Sequence, residues 1–163
     1  MTPVTPVTSR TRPLANHAWE ALLSAHAALM KRFAGEDVWR DASMREYDVL
    51  YTLSKCPAPL RMGELHRHVL LSQPALSRLV DRLAGRGLLE RVADPADGRG
   101  VRLSLTGAGR EVQRRIGRRH GRSVARALNG LDPEELRQLE AICLKLASRA
   151  AATTGHTTED MRS

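Results

Sequence analysis

The stretch from Ser72 to Arg99 limits most strongly what this chain can fold into. Wound as a helix from Gln73 to Gly85 at about 100° per residue, it divides into two faces. One arc carries the apolar residues Leu76, Leu79, Val80 and Leu83. The opposite arc carries Gln73, Pro74, Ser77, Arg78, Asp81 and Arg82. The first face needs a core, and the amide, hydroxyl and guanidinium groups of the second are typical of a helix that enters the DNA major groove.

A β-hairpin is predicted directly after this helix. Gly85 and Gly87 are suited to ending the helix. The residues 88–93 are a candidate strand, and the sequence D-P-A-D-G-R-G at 94–100 is typical of a turn. The residues 101–105 alternate between apolar and polar, as a half-buried strand does. The hairpin would carry Arg99 near its tip.

A helix-turn-helix is predicted from the residues before Ser72. Ser43 and Glu46 have the spacing of a capping box at the start of a helix, Met44–Ser54. A short helix is predicted over Gly63–Val69, and a tight turn leads from it to the helix that Ser72 caps. Two short helices joined by a tight turn, the second with a polar outer face, are typical of this motif.

Long helices are predicted at both ends of the chain. The first, Leu14–Ala34, carries a wider apolar stripe than a terminal helix of a small globule usually has. Thr106 is suited to capping a helix that runs to about Leu128, and Asp132 to capping the last one. The first and last helices therefore indicate a dimer interface. The residues 1–13 and 153–163 are polar or proline-rich and are predicted to be disordered.

The composition agrees with a helical, polyanion-binding protein. Of 163 residues, 42% are hydrophobic and only 3% aromatic, so the core has to consist of Leu, Ala and Val. The net charge of +8 comes mainly from arginine, which suits phosphate and guanine recognition. No apolar run approaches the ~20 residues of a membrane span, and no hydrophobic signal core is present. We expect a soluble cytoplasmic protein.

Neither the cysteines nor the histidines indicate a cofactor. Cys56 and Cys143 lie far apart and form no disulfide framework, and Cys143 is predicted to be buried on an apolar stripe. His66 and His68 are two residues apart and do not share a helical face, so we expect no metal site. Without a phosphate-binding glycine loop or a nucleophile elbow, we expect no enzyme and no cofactor.

The sequence resembles the MarR family of bacterial winged helix-turn-helix regulators. The resemblance rests on L-S-Q-P-A-L-S-R-L-V-D-R-L-A-G-R-G-L-L-E-R and then D-P-A-D-G-R-G-V-R-L-S-L-T-G-A-G. The D-x-R turn at Asp97 and Arg99, followed by Leu105 and Thr106, is its most diagnostic part. It implies a mainly α fold with a small β-wing (α+β) and a triangular homodimer. The regulatory domain would span 14–152, with the winged motif at about 44–105 and dimerisation helices at about 14–34 and 106–152.

The resemblance also implies roles for individual residues. Gln73, Ser77 and Arg78 match the base-contacting surface, and Arg99 matches the arginine that the wing inserts into the minor groove. Asp81 matches a position that often pairs with that wing arginine. The full set predicted to contact DNA is Ser72, Gln73, Pro74, Ser77, Arg78, Arg82, Arg99 and Arg102. Arg82 and Arg102 are assigned to phosphates.

Many proteins of this family release their operator when a small phenolic or anionic ligand binds. The residues predicted to line such a site are Trp19, Leu23, His26, Tyr47 and Tyr51, with core packing as the alternative. The predicted function is therefore a repressor of a pseudo-palindromic double-stranded operator, released by a small molecule. Two alternatives are an architectural DNA-binding protein without a ligand and a regulator that senses oxidants through Cys56.

Overall fold

A computed structural model describes residues 11–156, with the side chains of Gly98, Arg99 and residues 150–156 outside the description. The chain divides into two compact units, one ending at Ser123 and the other beginning at Val124. The helices are α1 (Arg12–Ala34), α2 (Met44–Lys55), α3 (Met62–His66), α4 (Gln73–Gly85), α5 (Gly107–Ala127) and α6 (Pro133–His156). The strands are β1 (Leu60–Arg61), β2 (Leu89–Asp94) and β3 (Asp97–Leu105), and a single 3-10 turn covers Asp37–Trp39.

The core of the first unit lies beneath α4. The predicted inner face of this helix is confirmed, because Leu76, Leu79, Val80 and Leu83 are all buried. They pack with buried residues of the other helices and strands: Val49, Leu50, Leu65, Leu103, Leu105 and Ile116. Burying one such side chain contributes about 1.5–3 kcal/mol, so the apolar stripe fixes which face of α4 remains in solvent.

The sheet is antiparallel, with the strands in the order β1-β3-β2. Leu89 pairs with Leu105 and Leu60 with Leu103, which turns these leucines toward the core. The predicted seven-residue turn is wrong. Asp94 pairs with Asp97, so the turn is shorter, and the pairing jumps from Val101 to Asp97. The residues 98–100 are therefore extra residues on β3, and Arg99 lies in this irregular segment, close to the turn.

A group of hydrogen bonds holds the junction between α4, the hairpin and α5. Gly87, at φ 70°, ends α4, with its N–H bonded to Ala84 and the Leu88 N–H bonded to Leu83. This is a Schellman ending, and the left-handed backbone favours glycine. The Thr106 hydroxyl donates to the Gly87 carbonyl at 2.7 Å and accepts from the Gly109 N–H at 3.0 Å. The prediction that Thr106 caps α5 is confirmed.

The other helix starts differ in how far they follow the prediction. The capping box of Ser43 and Glu46 is confirmed, and the Asp132 carboxylate accepts from two N–H groups of α6. Ser72 stands at the N-cap of α4, but its hydroxyl makes no capping bond, so that part of the prediction is wrong. The short helix α3 begins at Met62 instead of Gly63, and the Arg61 N–H donates to the Glu64 carboxylate at 2.7 Å.

The first and last helices expose apolar side chains. In α1, Leu14, Trp19 and Leu23 are exposed, and Phe33 is the residue that this helix buries among those described. In the second unit, α6 exposes Leu136, Leu139, Ile142, Leu144 and Leu146. Cys143 is exposed as well, so the prediction that it is buried is wrong for the single chain.

The ends of these helices extend beyond the predicted limits. Helix α1 begins at Arg12, so two residues of the predicted disordered arm are helical, and α6 continues to His156, four residues into the predicted tail. Residues 1–10 and 157–163 of these segments lie outside the described residues. No helix in the described part of the chain combines the length and apolarity that crossing a membrane requires.

Candidate nucleic-acid interface

The outer face of α4 is polar and open to solvent. Gln73, Ser77 and Arg78 are exposed, and among the described residues their side chains have neither a hydrogen bond nor an ion pair. Ser72 and Pro74 are exposed beside them at the start of the helix. An amide, a hydroxyl and a guanidinium on the exposed face of one helix offer the donors and acceptors that base edges bond. The sequence pattern predicted this surface correctly, because the period of the helix fixes its faces.

A salt bridge connects α4 to the hairpin. The Asp81 carboxylate lies 2.5 Å from the Arg91 guanidinium on β2. The side chain of Arg99, the partner predicted for Asp81, lies outside the described residues. Arg91 was not predicted as the partner of Asp81. An ion pair between exposed residues of two different elements produces no periodic pattern in the sequence. Asp81 contacts the hairpin through Arg91, and the predicted pair with Arg99 stays a prediction.

Arg102 forms an ion pair with a buried carboxylate at the base of the hairpin. Its Nε atom lies 3.0 Å from the fully buried side chain of Asp94, whose other oxygen is 2.5 Å from Nε of Arg61. Nη1 of Arg102 donates to the Pro59 carbonyl at 3.2 Å, whereas Nε pairs with Asp94 by charge and has no hydrogen-bond partner among the described residues. The bond from the Ala96 N–H, followed by the arginines, lowers the pKa of Asp94 to about 2, although burial opposes this. Arg102 thus clamps β3 to Asp94, and its charge is largely compensated.

Arg82, the second residue predicted to contact phosphate, is only partly free. Its Nε atom lies 3.9 Å from the carboxylate of Glu46 on α2, and its side chain is mostly exposed. An exposed guanidinium at this distance can still turn toward a phosphate, because the pair gains little in water. The basic residues predicted for DNA therefore differ: Arg78 is unpaired among the described residues, Arg82 is loosely paired, and Arg102 is half-buried and paired.

The residues predicted to bind a ligand separate into two groups. Tyr47 and Tyr51 stack on α2, with their ring centres 5.7 Å apart. Trp19, Leu23 and His26 lie exposed on α1, and no ring contact in the described structure joins them to the tyrosines. The sequence analysis therefore assigned to one site residues of α1 and α2 that are not in contact in the single chain.

Two aromatic residues that were not predicted surround Tyr47. The ring centres of Trp39 and His120 lie 5.8 and 5.9 Å from that of Tyr47, and His120 also contacts the edge of Phe33. The Nδ1 atom of His120 is buried without a hydrogen-bond partner among the described residues. Trp39 lies in a 3-10 turn and His120 in an arginine-rich helix, so neither stood out by its spacing. Burial raises the pKa of the Tyr47 phenol.

A cavity of about 250 Å³ opens between the end of α2 and the start of α5. Its lining includes Ser54, Cys56, Arg110, Gln113 and Arg114. Hydroxyl, amide and guanidinium groups around an open cavity can hold a small anion. Within the described residues, no group of three His, Cys, Asp or Glu side chains could hold a metal ion.

The arrangement defines a class of protein. A helix-turn-helix with an exposed polar second helix, followed by an antiparallel hairpin that extends a small sheet, is a winged helix-turn-helix, the fold of DNA-binding proteins. The model of the MarR family matches residues 41–100, which contain α2 to α4 and most of the wing.

Individual relatives extend the match. The uncharacterised HTH-type transcriptional regulator YkoM of Bacillus subtilis is 33% identical over 98 residues, which are 60% of this chain and 61% of that protein. The crystal structure of PcaV from Streptomyces coelicolor with its natural ligand is 30% identical and has a TM-score of 0.62, covering 92% of this chain and 99% of that one. Sco3205 of Streptomyces coelicolor, a MarR family regulator solved with DNA, is 27% identical with a TM-score of 0.69, covering 90% and 91%. The chain belongs to the MarR family of DNA-binding transcription regulators, which are not enzymes.

Proposed function

We propose that the protein is a repressor that binds a pseudo-palindromic operator as a homodimer and leaves it when a small phenolic or anionic ligand binds. The observation that carries the proposal is the exposed face of α4, where Gln73, Ser77 and Arg78 stand without partners among the described residues. Because the inner face of the helix is buried, its outer face stays in solvent, and the donors on that face are available for base edges.

We assign the DNA contacts of α4 from the exposed positions of its side chains, and that of Arg99 from the resemblance to the family. Arg78 is suited to a guanine and Gln73 to an adenine, with Ser77 between them on the same face. Ser72 and Pro74 complete the contact set at the start of α4, where exposed N–H groups favour a phosphate. Arg82 contacts a phosphate, and Arg99 enters the adjacent minor groove from β3. Arg102 acts mainly through Asp94, by holding the wing in place.

Homodimer formation would cover the exposed apolar residues of α1 and α6. A helix at the end of a chain seldom exposes as many large apolar side chains as Leu139, Ile142 and Leu146. A two-fold interface would bury these side chains on both protomers. Dimers with this motif place their recognition helices about one DNA turn, or ~34 Å, apart. The predicted operator is therefore a pair of inverted half-sites.

The ligand site is proposed on α2, around Tyr47 and Tyr51. Trp19, Leu23 and His26 of α1, which lie apart from the tyrosines in the single chain, would join this site in the homodimer. Stacked tyrosines next to Trp39 and His120 suit a flat phenolic ring. The cavity beside Arg110 and Arg114 supplies positive charge for an anionic group. The related PcaV was solved with its natural ligand, which supports a ligand-dependent mechanism for this chain as well.

The test begins with selection of duplexes from a random 30-base-pair library by the wild-type protein, followed by binding to the selected duplex and to a scrambled one. An inverted repeat with strong preference supports the proposal, whereas equal affinity for both duplexes indicates an architectural protein. Phenolic carboxylates are then screened by thermal shift and tested for release of the selected duplex.

Oxidant sensing is tested in the same assay. Cys56 is half-buried and lines the cavity with two arginines, so peroxide could reach its sulfur. Release of DNA by peroxide in the wild type, but not in Cys56→Ser, would replace the small-molecule mechanism by an oxidative one.

A further inference from the structure

Glu46 is a nearly buried carboxylate that joins two helices of the DNA-binding domain. It is 8% exposed, although it lies in the first turn of α2. One oxygen accepts the Ser43 N–H at 2.8 Å, and the other accepts from Nη1 of Arg86 at 3.3 Å, with Nε of Arg82 3.9 Å away. Arg82 and Arg86 both lie at the end of α4. The start of α2 is thereby tied to the last turn of the recognition helix.

Asp41 continues this connection to α5. The second terminal nitrogen of Arg86, Nη2, donates to the backbone carbonyl of Asp41. The Asp41 carboxylate accepts from Nε of Arg115, in the middle of α5, at 2.9 Å. A continuous set of contacts, two ion pairs joined by a hydrogen bond to a backbone carbonyl, therefore runs from Arg115 through Asp41 and Arg86 to Glu46. We define these four residues and Arg82 as the Glu46 network.

The network holds the end of α4 that does not carry the base-contacting residues. Helix α4 has 13 residues and is therefore about 20 Å long, and Gln73 and Ser77 lie in its first half. A tilt of about 5° at the end near Arg86 would move the start of the helix by about 1.7 Å. Hydrogen bonds to base edges do not tolerate a displacement of that size.

The apolar contacts of α4 leave this motion incompletely restrained. Leu76 and Leu83 fix the distance of the helix from the core, but aliphatic contacts are not directional. The ion pair of Glu46 with Arg86 has hydrogen-bond geometry and is therefore directional, so it restrains rotation and tilt in a way that the leucines do not.

We infer that Glu46 is a positioning residue for sequence recognition, which fixes the angle of α4 through Arg82 and Arg86, and that Asp41 links this angle to α5. The inference rests on the proposed binding of a specific operator. It assigns a role in discrimination between DNA sequences to Glu46 and Asp41, which are not among the residues proposed to contact DNA. Because α5 also borders the cavity with Arg110 and Arg114, the same network connects that cavity to the recognition helix.

The variant Glu46→Gln separates the two roles of this side chain. Glutamine still accepts the Ser43 N–H in a capping box, but it has no charge to hold the arginines. Glu135→Gln is the matched control, because Glu135 accepts the Asp132 N–H at 2.8 Å in the same way, is exposed, and is outside the network. Both variants change the net charge equally. Fluorescence anisotropy measures their affinities for the selected duplex and for a scrambled duplex of equal composition.

The measured quantity is the ratio of the two affinities, together with the unfolding temperature. For Glu46→Gln we expect the ratio to fall about tenfold, with both duplexes bound and the fold retained, and for Glu135→Gln a change of less than about twofold. A role in stability alone would lower the unfolding temperature without changing the ratio. An unchanged ratio in a folded Glu46→Gln protein overturns the inference. Equal affinity of the wild type for both duplexes overturns the proposed sequence-specific binding itself, on which the inference rests.

Asp41→Asn provides the second test, which also applies if Glu46→Gln does not fold. It removes the charge facing Arg115 and keeps the carbonyl that Arg86 contacts. We expect a smaller fall in the ratio, about threefold. A ratio equal to that of the wild type would overturn the link to α5.

Discussion

Replacing Gly109 by alanine should destabilise the fold more than any comparable change in α5. The Cβ atom of an alanine here would stand 2.0 Å from the backbone oxygen of Leu88, whereas real Cβ contacts remain beyond 3.0 Å. Helix α5 and the start of the hairpin would have to separate by at least about 1 Å. That movement would stretch the bonds of Thr106 to Gly87 and Leu88.

The magnitude follows from these contacts. Overpacking of this kind costs about 1–3 kcal/mol, and each weakened hydrogen bond about 1 kcal/mol. The higher helix propensity of alanine offsets at most about 1 kcal/mol of this cost. We expect a loss of about 2–4 kcal/mol in the free energy of unfolding, or about 5–15 °C in Tm.

Gly107→Ala is the control for this prediction. Gly107 lies two residues earlier in the same turn, and a Cβ atom there would meet nothing within 4 Å. We expect its stability to equal or slightly exceed that of the wild type. Urea unfolding followed by circular dichroism, at one fixed protomer concentration, compares the three proteins. If Gly109→Ala unfolds at the same urea concentration as Gly107→Ala, the close approach to Leu88 is not a constraint.

Four further predictions concern the DNA-binding surface, the wing and the dimer. Arg78→Ala should weaken binding of the selected duplex by about 1–3 kcal/mol and relax one base position, and an unchanged base profile in a repeated selection would remove Arg78 from the base contacts. Because the folded pKa of Asp94 is about 2, its contribution to stability is complete above about pH 4 and is lost as the pH falls toward 2. The difference in Tm between the wild type and Asp94→Asn should accordingly be constant above pH 5 and shrink below pH 4. Arg91→Ala should free the wing from Asp81 and reduce affinity for DNA with little change in Tm, as anisotropy and thermal melts would show. Ile142→Glu, on the exposed face of α6, should sediment as a monomer at micromolar concentration, whereas Leu70→Glu, at a 97% exposed position near α4, should remain dimeric.

The parts of the fold that were predictable are those that depend on neighbours in sequence. The two faces of α4 follow from the helical period, and the cap formed by Ser43 and Glu46 follows from a three-residue spacing. The same is true of Thr106, whose hydroxyl bonds the N–H three residues later. In each case the interacting groups are brought together by the local backbone, so the pattern of residue types is sufficient.

The errors concern choices among several possible partners. Ser72 has the right type for a cap, but its hydroxyl does not accept a helix N–H. Most of the residues 94–100 favour turns, and the register of β3 decided that only the start of this stretch forms the turn. Cys143 lies on an apolar stripe, yet in the single chain nothing covers it. Residue type limits the options in such cases, and long-range packing selects one.

The exposed face of α4 and the arginines around it show what the sequence determines and what the tertiary structure determines. Sequence alone determined that α4 would present Gln73, Ser77 and Arg78 outward, because burial of its leucines leaves no other orientation. Only the tertiary structure decided which arginines remain available, since Arg102 is taken by Asp94 and Arg86 by Glu46. A guanidinium pairs with whichever carboxylate the fold brings within about 4 Å, and that distance is set by elements far apart in the chain.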